Sequence, residues 1–223
     1  MFKNTRIPYF YRLSLLLASL TTFTVLEILV FIEFQNEVTD LIQRYRTWSY
    51  QSNLLVLIWL ALAIYYNTNE NKKDILFGPL KGAITSYITV TIVFWHFVIS
   101  PTAAPAEGIV ILANLMIHYF LPIAFIVDFL LFDVPSYEWK SIPSWFIFPL
   151  VWTGFVMLTG LTGFFRNSLG LPNYVYPFLS INRHGVISVG TFLLIVYIGL
   201  LLMAVAYVGI SKIKNRSKIL QAN

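Results

Sequence analysis

The chain contains no cysteine. Disulfides, thiolate metal sites and thiol nucleophiles are therefore excluded. Charge is scarce as well: 11% of residues are charged against 58% hydrophobic, with a mean hydropathy of +0.74. That balance excludes an ordinary soluble domain. Histidine is limited to three residues, His96, His118 and His184, and no HxxxH or HExxH spacing joins them. Neither a metal nor a cofactor is expected; a zinc triad would require Glu27, His96 and His118 to converge. The net charge of +5 does not indicate a nucleic-acid partner, because the basic residues sit at the ends of apolar runs. A cleavable signal peptide is not expected either. The first apolar run is too long, and no small-residue cleavage pattern follows it.

What the sequence does hold is long apolar runs, each of the length that crosses a bilayer as a helix. They cover approximately 9–34, 49–66, 82–100, 108–132, 144–165 and 185–210. The connections are short. The expected fold is all-α: a polytopic membrane protein with six transmembrane helices in one antiparallel bundle, a single domain over 1–223. Lys and Arg divide unevenly between the two sets of helix ends. Lys3, Arg6, Arg12, Lys72, Lys73, Lys81, Lys140, Lys212, Lys214, Arg216 and Lys218 lie on one side, and Arg44, Arg46, Arg166 and Arg183 on the other, 11 against 4. The positive-inside rule then places both termini in the cytoplasm, in a multi-pass protein of the cell membrane. The basic tail KIKNRSK reads as an anchor on an anionic leaflet.

The fourth run carries polar groups that hydrocarbon penalises. Asn114 and His118 are one helical turn apart and share a face, and Pro122 follows on it. Proline has no N–H to give the carbonyl four residues back, which belongs to His118. A kink at the histidine is expected, with that carbonyl needing another partner. Asp128 lies further along and reads as a packing or snorkelling acid.

Other polar residues agree with His118 in depth. Glu27, Ser49, Ser52, Asn53, His96, Thr159 and Thr162 all fall in the outward halves of their spans. Arg166, Arg183 and His184 lie in the loop beyond. This agreement predicts a cavity reached from the outward side. The stretch TWSYQSNLL puts Ser49 and Asn53 on one helix face. Serine and asparagine there can be helix glue or chemistry. A hydroxyl nucleophile needs a base, and His118 or His96 is the candidate. Ser49 near the top of its helix stands far from mid-depth His118, unless TDLIQRYR extends the helix or the fourth span begins late. Otherwise Asn53 or Ser52 is the better partner of His118. The competing reading is a small transporter or lipid-binding protein, in which Glu27, His118 and Asp128 bind substrate or relay protons.

Three segments, WSYQSNLL, NLMIHYFLP and NYVYPFL, occur here in an order and spacing that resemble the six-span androgen-induced membrane hydrolases and their bacterial relatives. Val93, Phe94 and Trp95 fit the same pattern, and the resemblance covers nearly the whole chain. It implies an intramembrane threonine–histidine hydrolase of lipid esters, of the fatty acid ester of hydroxy fatty acid type. The family histidine maps to His118. The family threonine maps to Ser49, a departure that keeps the hydroxyl; a shifted alignment nominates Ser52 or Thr47. The proline also falls one residue closer to the histidine than in animal members. Asp128 stands where the family has an acidic residue.

On that reading Ser49 attacks an acyl carbonyl and His118 serves as base and then acid. Asn114 or the freed backbone orients the imidazole, and Ser52, Asn53 or His96 donates to the oxyanion. Glu27 is a possible site acid. Arg166 or Arg183 holds a substrate carboxylate or phosphate at the mouth. The expected partners are a membrane lipid or fatty-acyl substrate and the bilayer itself. Among the aromatics, Trp48, Trp95, Tyr119 and Trp152 divide between interfacial belt and acyl tunnel.

Overall fold

A computed structural model describes residues 6–33, 38–66, 78–103, 105–132, 136–165 and 174–222. Among these residues every regular element is helical. Six helices are long and apolar enough to cross a membrane: Arg6–Ile32, Trp48–Tyr65, Pro79–Ile99, Ile109–Leu131, Trp139–Leu161 and Ile181–Arg216. These are the spans read from the sequence, with ends moved by a few residues. Helices satisfy their own backbone groups, as a lipid environment requires. Large apolar side chains such as Phe10, Ile32, Phe155 and Ile195 remain exposed on the outside of the bundle, where only lipid would cover them.

The third span is the centre. It packs on the second, fourth and sixth, and its residues from Lys81 to Ile88 are all buried. Gly82 allows a close approach: a Cβ there would lie 2.5 Å from the Trp145 ring. Trp145 joins Tyr137, Phe129, Tyr87 and Trp48 in the largest apolar cluster.

An ion knot ties the first, third and fourth spans. Asp128 is fully buried and takes Arg12 Nε at 2.8 Å, while its other oxygen meets Lys81 Nζ. Arg12 and Lys81 also lie over the Trp59 ring, at 5.5 and 5.1 Å from its centroid. Asp128 is thus a packing acid, with no snorkelling to the surface. Arg12 and Lys81 likewise serve the protein interior instead of the helix ends at which the sequence reading counted them. Lys214 of the sixth span donates to the carbonyls of Phe129, Leu130 and Phe132 at 2.7, 2.9 and 2.8 Å. Those carbonyls end the fourth helix, where cations are favoured.

TDLIQRYR is helical, as Val38–Arg46, but it does not extend the second span. Thr47 breaks the path with an extended backbone (φ −68°, ψ 152°). Its hydroxyl donates to the Arg44 carbonyl at 2.7 Å and accepts the Tyr50 N–H at 3.5 Å. The second transmembrane helix therefore begins afresh at Trp48, with Ser49 in its first turn.

Candidate functional site

Three spans depart from α-helical winding at π-helical turns: Thr22–Leu26, Trp95–Ile99 and Met116–Phe120. Each such turn inserts a residue and rotates the face that follows by about 100°. The second and third of these turns border one cavity of about 490 Å³, and the first is followed directly by Glu27 on its wall; Trp95, Ile99, Asn114 and His118 line it with, from the second span and its approach, Arg44, Thr47, Ser49 and Tyr50. Ser49 and His118 are thus brought to the same void. The fourth helix begins at Ile109, after Gly108 turns the chain with φ +55°, within one residue of the start read from the sequence. The two side chains share the void without any extension of the second span.

The histidine is held on two sides. Its ring lies flat on Trp95, with centroids 3.6 Å apart and planes 8° apart. Its Nδ1 is 3.1 Å from the backbone carbonyl of Asn114. A carbonyl only accepts, so Nδ1 carries the hydrogen and Nε2 is left as the lone-pair acceptor of the neutral ring. The contact is to the main-chain carbonyl of Asn114, not to its side-chain amide.

Pro122 acts differently from the expectation. In the π turn the Leu121 N–H bonds to the Met116 carbonyl, five residues back. In the same register the next carbonyl, that of Ile117, would take an N–H from residue 122, which proline lacks. The carbonyl in need of a partner is therefore that of Ile117, not that of His118. The Asn53 amide meets it at 2.9 Å and also donates to the Ser49 carbonyl at 2.8 Å. Both amide hydrogens are then used, so Asn53 is a clamp between the serine's helix and the histidine's helix. It has none left for an oxyanion.

Tyr176 completes the wall beside Ser49. Its hydroxyl accepts the Trp48 N–H at 3.1 Å and adjoins the hydroxyls of Thr47 and Ser49. Burial pushes the phenol up to about 12, so it keeps its proton at physiological pH. The same residue borders a narrow apolar slot of about 50 Å³ among the third, fifth and sixth spans, lined by Trp48, Phe94, Trp152, Phe178, Phe192 and Leu200. Trp48 and Trp152 therefore line the slot, and Trp95 lines the polar cavity.

Glu27 is on the cavity and accepts the Tyr50 hydroxyl at 2.5 Å. Ser52 is fully buried, bonded to Thr91 at 2.7 Å and to the Ser49 carbonyl at 3.1 Å; it is absent from the cavity wall and joins helices. His96 is exposed, with Nδ1 3.1 Å from the Tyr119 hydroxyl, and is likewise off the cavity wall. It neighbours Trp95 in sequence, and it is Trp95 that lines the void. Arg183 is exposed, two residues before the φ +79° break at Gly185, and does not line the cavity. Arg166 lies outside the described residues. Among the described residues no three His, Asp or Glu side chains group as a metal site.

Sequence reasoning passed over Tyr176 and Arg44 as site residues. Tyr176 carried a signal, since it stands in the YPFL segment of the family resemblance. In sequence, Arg44 reads only as a flanking charge. No protein-family model, curated protein or solved structure matches the chain.

Proposed function

We propose that the protein is an integral membrane hydrolase of fatty-acyl esters, of the fatty acid ester of hydroxy fatty acid type. The cell membrane is its location, with both termini cytoplasmic and the cavity open to the outward side. The observation that carries this reading is the pairing on one cavity wall of Ser49 with a histidine whose Nδ1 is committed to the Asn114 carbonyl. That arrangement suits general-base chemistry, because the basic nitrogen is fixed before substrate arrives. The resemblance of WSYQSNLL, NLMIHYFLP and NYVYPFL to the androgen-induced hydrolases points the same way.

In this mechanism Ser49 Oγ bonds to the acyl carbon while His118 Nε2 takes its proton. The carbonyl electrons move onto oxygen, where the Tyr176 hydroxyl donates; such a donor is often worth about 3 kcal/mol. Collapse expels the alcohol, which leaves with the proton from His118. Water then attacks the acyl-serine with His118 again as base, and the fatty acid and the serine hydroxyl are released. Trp95 holds the imidazole plane throughout. Acyl chains enter sideways from the bilayer, and the apolar slot beside Tyr176 receives part of one.

The test is release of fatty acid from ester lipids by the full chain purified in detergent. Release by the wild type, lost in both Ser49→Ala and His118→Ala, is the expected result. Release untouched by either substitution contradicts the proposal. Absence of release together with proton-coupled uptake into liposomes favours the carrier reading.

A further inference from the structure

Among the described residues, the cavity that holds Ser49 and His118 has one cation on its wall, Arg44. Its Nη1 lies 3.7 Å from Glu27 Oε2, outside hydrogen-bond range. Its Nε and Nη2 are buried with no hydrogen-bond partner, and so is that Glu27 oxygen. The other Glu27 oxygen is engaged by Tyr50. A strut meant only to fasten the short helix to the first span would close this gap, since guanidinium–carboxylate bonds run at roughly 2.7–2.9 Å. Guanidinium donors taken out of water and left unmet cost free energy. An anion arriving in the cavity would recover it. Arg46, two residues on, has other surroundings. It meets Gln43, bonds to Thr159 at 3.0 Å and stacks on Phe165 at 3.8 Å, and it does not line this cavity.

The geometry points to Arg44 as the residue that reads an anionic group, a carboxylate or a phosphate, on the substrate. This specificity contact rests on the hydrolase reading above. Nε and one Nη of a guanidinium form a parallel pair of donors that matches two oxygens of either group. Glu27 balances the charge of Arg44 while the cavity is empty and yields it when the anion binds. An ester whose charged end sits at Arg44 lies in the same void as the Ser49 hydroxyl.

The experiment gives the detergent-purified full chain three palmitate esters: of hydroxystearic acid, of methyl hydroxystearate and of glycerol phosphate. Palmitate release is followed for the wild type, Arg44→Gln and Arg44→Lys. The wild type is expected to prefer the charged esters over the methyl ester. Arg44→Gln lowers that preference on the order of tenfold or more, and Arg44→Lys falls between. The charged ester with the larger preference separates carboxylate from phosphate. An unchanged preference, or an equal loss on all three esters, overturns the assignment. If the wild type releases no palmitate, the hydrolase reading fails on its own. Arg44 is then judged by thermal stabilisation with palmitate against methyl palmitate. Stabilisation by the acid alone, lost in Arg44→Gln, supports the anion site; equal stabilisation by both overturns it.

Discussion

The side-chain amide of Asn53 donates to the backbone carbonyl of Ile117 at 2.9 Å, at the one step of the π turn where Pro122 offers no N–H. The bond joins the helix of Ser49 to the helix of His118. Its loss leaves a buried carbonyl unmet, so Asn53→Leu should cost about 1–3 kcal/mol of stability. Thermal unfolding of the detergent-purified protein measures it. An unchanged midpoint would show that the carbonyl finds another donor.

The proline makes that argument separable. Pro122→Ala returns an N–H able to meet the Ile117 carbonyl. Asn53→Leu should therefore cost less in a Pro122→Ala background than alone, by about 1 kcal/mol, in a double-mutant cycle. Strictly additive penalties would place the role of Asn53 elsewhere, at the Ser49 carbonyl that it also holds.

The ion knot should respond asymmetrically. Asp128→Asn removes the anion that both Arg12 and Lys81 meet and weakens the hold on two buried cations. Breaking a buried pair in this way costs about 3–5 kcal/mol. Lys81→Met leaves the Arg12–Asp128 bond at 2.8 Å and should cost less. Unfolding midpoints of the two variants in detergent decide the order, and equal shifts would contradict the account.

Tyr176→Phe removes the acceptor of the Trp48 N–H and the hydroxyl beside Ser49. On the proposed mechanism kcat for ester cleavage drops by about tenfold or more while KM moves little, because the donor acts on charge formed in the transition state. A rise in KM with kcat intact would make Tyr176 a substrate-binding residue only.

The architecture was legible because apolar length alone specifies a membrane helix. Spans such as Pro79–Ile99 and Ile109–Leu131 differ from the sequence reading only at their ends. The shared depth of Glu27, Ser49 and His118 was also visible, and depth is what a common cavity requires. Azimuth was not visible. A π turn rotates a face without a marked change in composition, so Trp95, rather than His96, lines the cavity. The same effect moved the carbonyl left by Pro122 from His118 to Ile117. Arg12 and Lys81 resembled interfacial charges because their partner Asp128 is more than 45 residues distant from each in sequence. Tertiary pairing of that kind leaves no local periodicity to read.

The most direct test of the account is labelling by a fluorophosphonate, which bonds to a hydroxyl activated by a neighbouring base. The purified full chain is treated with the probe, digested and read by mass spectrometry. The account predicts an adduct on Ser49 that disappears in Ser49→Ala and in His118→Ala. An adduct on Thr47 or Ser52, or labelling of Ser49 that survives His118→Ala, would contradict it.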